Sequence, residues 1–442
     1  MSIRRNALPR EALASALVVG MLGIALAAPA EGSREYVQAT IDEIPTAVAV
    51  ADSGVIAGSL YDAQAIALVD PDGTVRQALL DCPPVDVAIA PDGATAWAVC
   101  QESNHLNVVD VVSLEVTLAS TKVGGLDSID YLPAVDELII GSLEGWVLAV
   151  TEVSSGGYAL RRWSQFPQDG PHRITQVAPL GDGTGAYAIT DSGDLAFADL
   201  LFGVDPRIIK RASSGRSFQS VATSPFGTAL YAVVIDSTRP QIVTTVEVVD
   251  MATGDARQSV PLAIAGGLFP RFDLAAGFRA LYLTAEVNAE TPWGSNGLLT
   301  LPVSSRGRIG DVRVAPVALA QGSATAVSAD FTRVAFGTTG RQVLGIVVDD
   351  RPYPASVRIS AQAKGTRFTI SGSATSMPVL TELVVFTRDL TKKASTFKKH
   401  AKRATVNFQG DIAWSGKPPS KRFAVFISGA GAKSNTVTVT AR

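Results

Sequence analysis

A strand-and-turn unit recurs along this chain every 40 to 52 residues, and self-similarity at that period confines the fold to a repeat architecture. The clearest copy occupies residues 83–124. Apolar, alternating runs at 85–90, 94–100 and 106–110 are followed by a weaker extended run at 116–120, and Asp92-Gly93 separates the first two. Alternation of Val, Ile and Trp between Asp-Gly and Ser/Asn clusters is a hairpin signal. Two markers carry the alignment of the other copies. The turn after the first strand gives Ser53-Gly54, Asp92-Gly93, Asp182-Gly183 and Phe226-Gly227, with degenerate forms at Ala134, Gly277-Phe278 and Asp330. The residue ending the third strand gives Asp70, Asp110, Thr151, Asp199, Asp250, Pro302 and Asp349. Seven units result, too strand-rich for a helical array and of the length of a four-stranded propeller blade.

Such a unit cannot bury both faces alone, so its neighbours must stack and the ring must close. The seventh unit has three strands before Pro352 and Pro354 interrupt it, whereas residues 35–41 form an orphan strand. The expectation is that 35–41 supplies the outer strand of the last blade and removes two open sheet edges. Pro84, Val87-Ala88-Ile89, Pro91-Asp92-Gly93, Trp97 and Val108-Val109-Asp110 resemble the YVTN-type β-propeller repeat. Units one, four and five follow it less closely, and units three, six and seven depart at the turn. The resemblance covers about residues 35–350 and implies an all-β, seven-bladed propeller. Propellers similar to this one include lactonases and quinone-dependent oxidases, so the likeness constrains the fold more than the activity.

The two ends differ from the repeat. Arg4, Arg5 and Arg10 precede a short apolar stretch that ends in Ala28-Pro29-Ala30, the pattern of a secretory signal peptide over residues 1–30. No later apolar run reaches the ~20 residues of a membrane span, so none is expected after signal removal, and the protein is expected to be secreted or associated with a bacterial-type cell envelope. Residues 355–442 hold 15 Lys/Arg against 3 Asp/Glu, while 31–354 hold 20 against 37, net charges of +12 and −17. So sharp a division marks separate domains, 31–354 and 355–442. Extended runs at 356–363, 367–371, 380–387, 405–409, 422–428 and 435–440 point to a small antiparallel β-sandwich similar to bacterial immunoglobulin-like modules. It lacks their cysteine pair, and Trp414 lies late for their usual core tryptophan. Residues 392–403 carry six cations with His400. They read as a contact for an acidic envelope polymer or the acidic propeller, or as solvated edge charges.

Chemistry is sparse. Three His in 442 residues, and no HExxH, CxxCH, Gly-x-Ser-x-Gly or Walker loop, leave little for metal, haem or nucleophile catalysis. No cofactor and no nucleic-acid partner is expected. Cys82 and Cys100, the only cysteines, fall within reach of each other across the Asp92-Gly93 hairpin, and a disulfide there suits an oxidising compartment. The face carrying the loops between units is the default ligand surface. It gathers His105, His172, Arg173 and the longest insertion, 286–297, with Glu286, Asn288, Trp293 and Asn296. Marker alignment also places Asp86, Ser128, Gln176, Ser220 and Arg271 at one level near the axis. The reading that follows is a non-catalytic binding or scaffold protein whose rim recognises a protein or glycan. The alternative is a lactonase-like hydrolase using a rim metal or a His/Arg site.

Overall fold

The computed structural model describes residues 34–153, 157–166, 173–201, 204–213, 215–237, 243–262, 271–286, 298–314, 322–348, 350, 356–364, 367–375, 381–406, 411–429 and 432–440. The stretch expected to be a signal peptide lies outside them.

Seven four-stranded antiparallel sheets succeed one another along the chain. The inner strands are Val48–Val50, Asp86–Ile89, Leu126–Leu132, Ile174–Pro179, Arg216–Thr223, Arg271–Ala276 and Gly322–Val327. The seventh blade takes its outer strand from the start of the described chain: Arg34–Thr40 pairs antiparallel with Gln342–Val347, from Arg34 opposite Val347 to Thr40 opposite Gln342. Ile41 N–H continues this ladder to Arg341 O at 2.9 Å. The ring is thus closed by joining its two ends inside one sheet, and the outer edge of Gln342–Val347 is paired rather than open.

Middle strands such as Ile56–Leu60 and Ala65–Val69 are buried along their whole length, because each blade face lies against a neighbouring blade. The core is accordingly divided into seven apolar layers, one per junction. The seam layer mixes Val37 and Ala39 of the closing strand with Val50, Ile56 and Leu60 of the first blade. Asp residues at the ends of third strands tie down the turns that follow. Asp110 Oδ1 accepts Val112 N–H and Ser113 N–H at 3.0 and 2.7 Å, and Asp250 Oδ1 accepts Ala252 N–H and Thr253 N–H, both at 2.9 Å. Arg257 and these N–H groups hold the Asp250 carboxyl down at about 2.

The C-terminal strands form one nine-stranded antiparallel sheet, sandwich-like and nearly closed. Phe368, Leu383, Val385, Trp414, Phe423 and Val425 fill its interior. Trp414 is therefore a core residue despite its late position. Its strand, Asp411–Gly416, was not among the expected runs; its inner positions Ile412 and Trp414 are buried and its outer ones exposed. Asn435 finishes the closure by acting as a strand. Its Oδ1 accepts Ile359 N–H at 2.9 Å and its Nδ2 donates to Ile359 O at 3.0 Å.

Candidate functional site

The inner strands surround a central cavity of about 400 Å³. At the end of the cavity where the inner strands begin, each of five successive blades places a polar side chain against the backbone of the next. Asp86 Oδ2 accepts Ile129 N–H at 2.9 Å, and Ser128 Oγ accepts Val177 N–H at 3.1 Å. Gln176 Oε1 accepts Val221 N–H at 2.8 Å, while Ser220 Oγ accepts Leu274 N–H at 3.1 Å. Asp273 Oδ2 accepts Thr325 N–H at 2.8 Å. Gln176 Nε2 also reaches Ser220 Oγ at 3.2 Å. The inner strand is an edge strand, so its N–H groups need partners, and the preceding blade provides them. Ala47 and Ala324 hold the same place in the first and seventh blades and have no acceptor to offer.

Asp273, not Arg271, is thus the sixth blade's member of this ring. The expected placement slips by two residues because the sixth blade turns more tightly. Gly277 N–H bonds to Ala280 O, three residues on, where Ala90 N–H bonds to Thr95 O, five on. Arg271 instead opens its strand opposite Glu286; the side chains of both lie outside the described residues.

Two residues further along the strands the wall is a belt of alanines, Ala49, Ala88, Ala178, Ala222, Ala275 and Ala326, interrupted by Asp130. No basic side chain occurs among the described lining residues. Burial pushes Asp86 up to about 8 against the N–H bonds it accepts from Ile129 and Val87, with Asp273 and Asp130 adding like-charge repulsion. Burial likewise lifts Asp130 to about 7 and Asp273 to about 6. Asp130 is open to the lumen and the other two are half-open, and this exposure tempers the shifts. The upward direction follows from confinement by the surrounding blades. Asp130 and Asp273 were not among the expected site residues. The signal for Asp130 was a lone carboxylate at a position where the other six blades carry Ala.

At the opposite mouth the turns differ between the two halves of the ring. Blades one to four present Asp52, Asp92, Asp136 and Asp182. Blades five to seven present Phe226, Phe278 and Phe331, whose rings follow one another at 5.0 and 4.4 Å, and the seventh also keeps Asp330, whose N–H donates to Asp52 Oδ1 at 2.9 Å. Phe331 takes φ 59°, in the turn place where Gly93 takes 77°. A bulky side chain there costs about 1 kcal/mol, offset by the ring contact.

The remaining expected site residues are dispersed. His105 opens the third strand of the second blade, half-buried, its N–H donating to Ser103 Oγ at 3.0 Å. Arg173 is exposed two blades on. His172, Asn288, Trp293 and Asn296 lie outside the described residues. Cys82 and Cys100 are joined at 2.06 Å, and fully buried Asn107 donates to both sulfurs at 3.4 and 3.6 Å. Among the described residues no group of three His, Cys, Asp or Glu is placed to hold a metal ion.

No protein-family model and no curated protein sequence matches the chain. Solved structures do match in shape. Hydrazine synthase of Kuenenia stuttgartiensis superposes with TM-score 0.54 at 14% identity, over 71% of this chain and 98% of that one. Virginiamycin B lyase from Staphylococcus aureus gives 0.52 at 13%, over 72% and 99%. A chain of a mitotic checkpoint complex gives 0.50 at 16%, over 79% and 99%. The chain is a seven-bladed β-propeller with a second β-sheet region. At these identities the likeness concerns the fold alone, and the three neighbours come from unrelated activities.

Proposed function

We propose that this propeller is an exported, non-catalytic binding or scaffold protein of the YVTN kind. In this reading its rim recognises a protein or glycan partner, and its basic, immunoglobulin-like C-terminal region contacts acidic components of the cell envelope. One observation carries the proposal: of the polar side chains at the axis, all five in the ring level, though not Asp130 beyond it, are spent on the neighbouring blades. Asp86, Ser128, Gln176, Ser220 and Asp273 each accept a backbone N–H from the next inner strand. Groups so engaged hold the ring rigid and are poorly placed to activate a substrate. A rigid ring with its side chains free on the outside suits recognition better than turnover.

Two measurements test it. Photo-cross-linkers placed at exposed Arg173 and Trp163 in intact cells should capture one discrete partner. A panel of lactones and esters should give no turnover above background. Turnover that disappears in Asp86→Asn while the fold persists would overturn the proposal.

A further inference from the structure

We infer that the outer face of the C-terminal sheet is a preorganised seat for a linear carboxylated glycan, centred on Arg388. This rests on the proposed envelope contact and names its surface and ligand chemistry. Arg388 lies on the Glu382–Asp389 strand, half-buried, with its Nε closed off from solvent and without a hydrogen-bond partner. The guanidinium makes no ion pair among the described residues. An unpaired buried donor on a charged group costs more than one on a neutral group, and the rest of this half-buried guanidinium faces outward, so it is free to take an anion.

Strand register puts further cations on the same face. Residues directly opposite in a sheet share a side, and alternate residues along a strand do too. Phe386, two before Arg388, stands opposite Lys399 on one side and Phe426 on the other. The Phe386 and Phe426 rings stack at 4.8 Å, and Lys433 Nζ sits 4.3 Å above the Phe426 ring. Lys399, Arg388 and Lys433 therefore surround one aromatic platform.

The basic run beside them is fastened down. Lys398–Lys399 is a short strand on the sheet. His400 N–H donates to Val385 O at 2.8 Å, and its Nε2 lies 3.0 Å from Thr387 Oγ1. Trp414 Nε1 donates to Lys402 O at 3.2 Å, and Ser395 Oγ donates to Asp389 O. Exposed Lys392, Lys393, Lys398 and Lys402 are thus carried on an ordered edge, and a row of fixed charges fits a polymer better than a single ion.

The rings decide the class of polymer. Phe386 stacks on Phe426 and Phe397 meets Phe426 edge-on, so the rings form one packed cluster rather than a row of separate platforms for successive nucleobases. Phe397 is the one exposed large apolar side chain among the described residues of this sheet, and its contact with Phe426 leaves little to insert into a bilayer. A carboxylate matches the planar guanidinium fork.

The full-length mature chain should bind polygalacturonate at low salt and release it at high salt. Substituting Arg388→Gln, Lys399→Gln and Lys433→Gln together should weaken binding by at least about tenfold. The equal charge change Arg358→Gln, Lys364→Gln and Arg367→Gln, on the first hairpin, should cost about twofold or less. Arg388→Lys, which keeps the charge and the fold, should recover part of the loss. Equal losses in both triple variants, or tighter binding to phosphatidylglycerol vesicles or oligothymidylate than to polygalacturonate, would overturn the inference. Absence of polygalacturonate binding at low salt would also overturn it, while a discrete rim cross-link would leave the proposed partner recognition standing.

Discussion

The axial channel and the outer face of the C-terminal sheet use charge in opposite ways. In the channel, Asp86 and Asp273 accept N–H groups from neighbouring blades, and the carboxylates that line the lumen are driven toward their neutral forms. On the sheet, Arg388 makes no ion pair among the described residues and lies on the same face as Lys399 and Lys433, with its buried Nε unpaired. A carboxylate can escape confinement by keeping its proton, whereas a guanidinium cannot lose one in the accessible range. Confined acids can therefore serve as structural acceptors, whereas an arginine keeps its charge and is satisfied only by an acceptor or an anion.

The sharpest test of the first half is closure of the ring that confines those acids. Removing residues 34–41 should cost roughly 5 kcal/mol, from the lost ladder and the burial of Val37, Ala39 and Ile41. Thermal unfolding reads this directly, and an unchanged melt would deny the seam any part in holding the channel. Next in size is the disulfide. Replacing Cys82 and Cys100 by Ala should cost ~3 kcal/mol in the chain-entropy view, and it also strips Asn107 of its two sulfur acceptors. Addition of reductant to the native chain should give a smaller loss, because the reduced thiols keep their sulfur atoms beside Asn107.

Asp130 gives a smaller and more specific effect. Its folded pKa stands above its ordinary value, so the folded chain keeps a proton that the unfolded chain has released. Stability therefore falls as pH rises from 3.8 to about 7 and is level above that. Asp130→Ala, which completes the alanine belt, should stabilise the protein by roughly 1 kcal/mol at pH 8, after discounting for water in the lumen. Near pH 4 it should change little. Destabilisation at pH 8 would mean that Asp130 has a cationic partner, and the contrast between channel and sheet would fail. The smallest effect belongs to the sheet. Lys433→Met should lower stability by about 0.5 kcal/mol through the lost cation–π contact, measurable by chemical denaturation, and high salt should not abolish the difference.

His400 adds a pH signature of opposite sign. Burial lowers its pKa, so the neutral ring that fastens the basic run is favoured above the ordinary imidazole value of 6.5. Its contribution is lost as pH falls through the lower folded value.

Blade number, the turns and the apolar layers were legible because they are local. An Asp-Gly turn and an alternating run are written within a few consecutive residues, and their recurrence counts the blades. The orphan strand at the N-terminal end was legible by accounting, since the last unit was one strand short. The meeting of Asp86, Asp130 and Asp273 was decided only by the tertiary structure, because ring closure brings together positions far apart in the chain. A turn two residues shorter in the sixth blade was enough to exchange Arg271 for Asp273, a change of charge that no local pattern records. The isolation of Arg388 was equally invisible. Pairing register gathers Lys399, Phe386, Phe426 and Lys433 around it, and whether a charge has a partner is settled by what surrounds it in space.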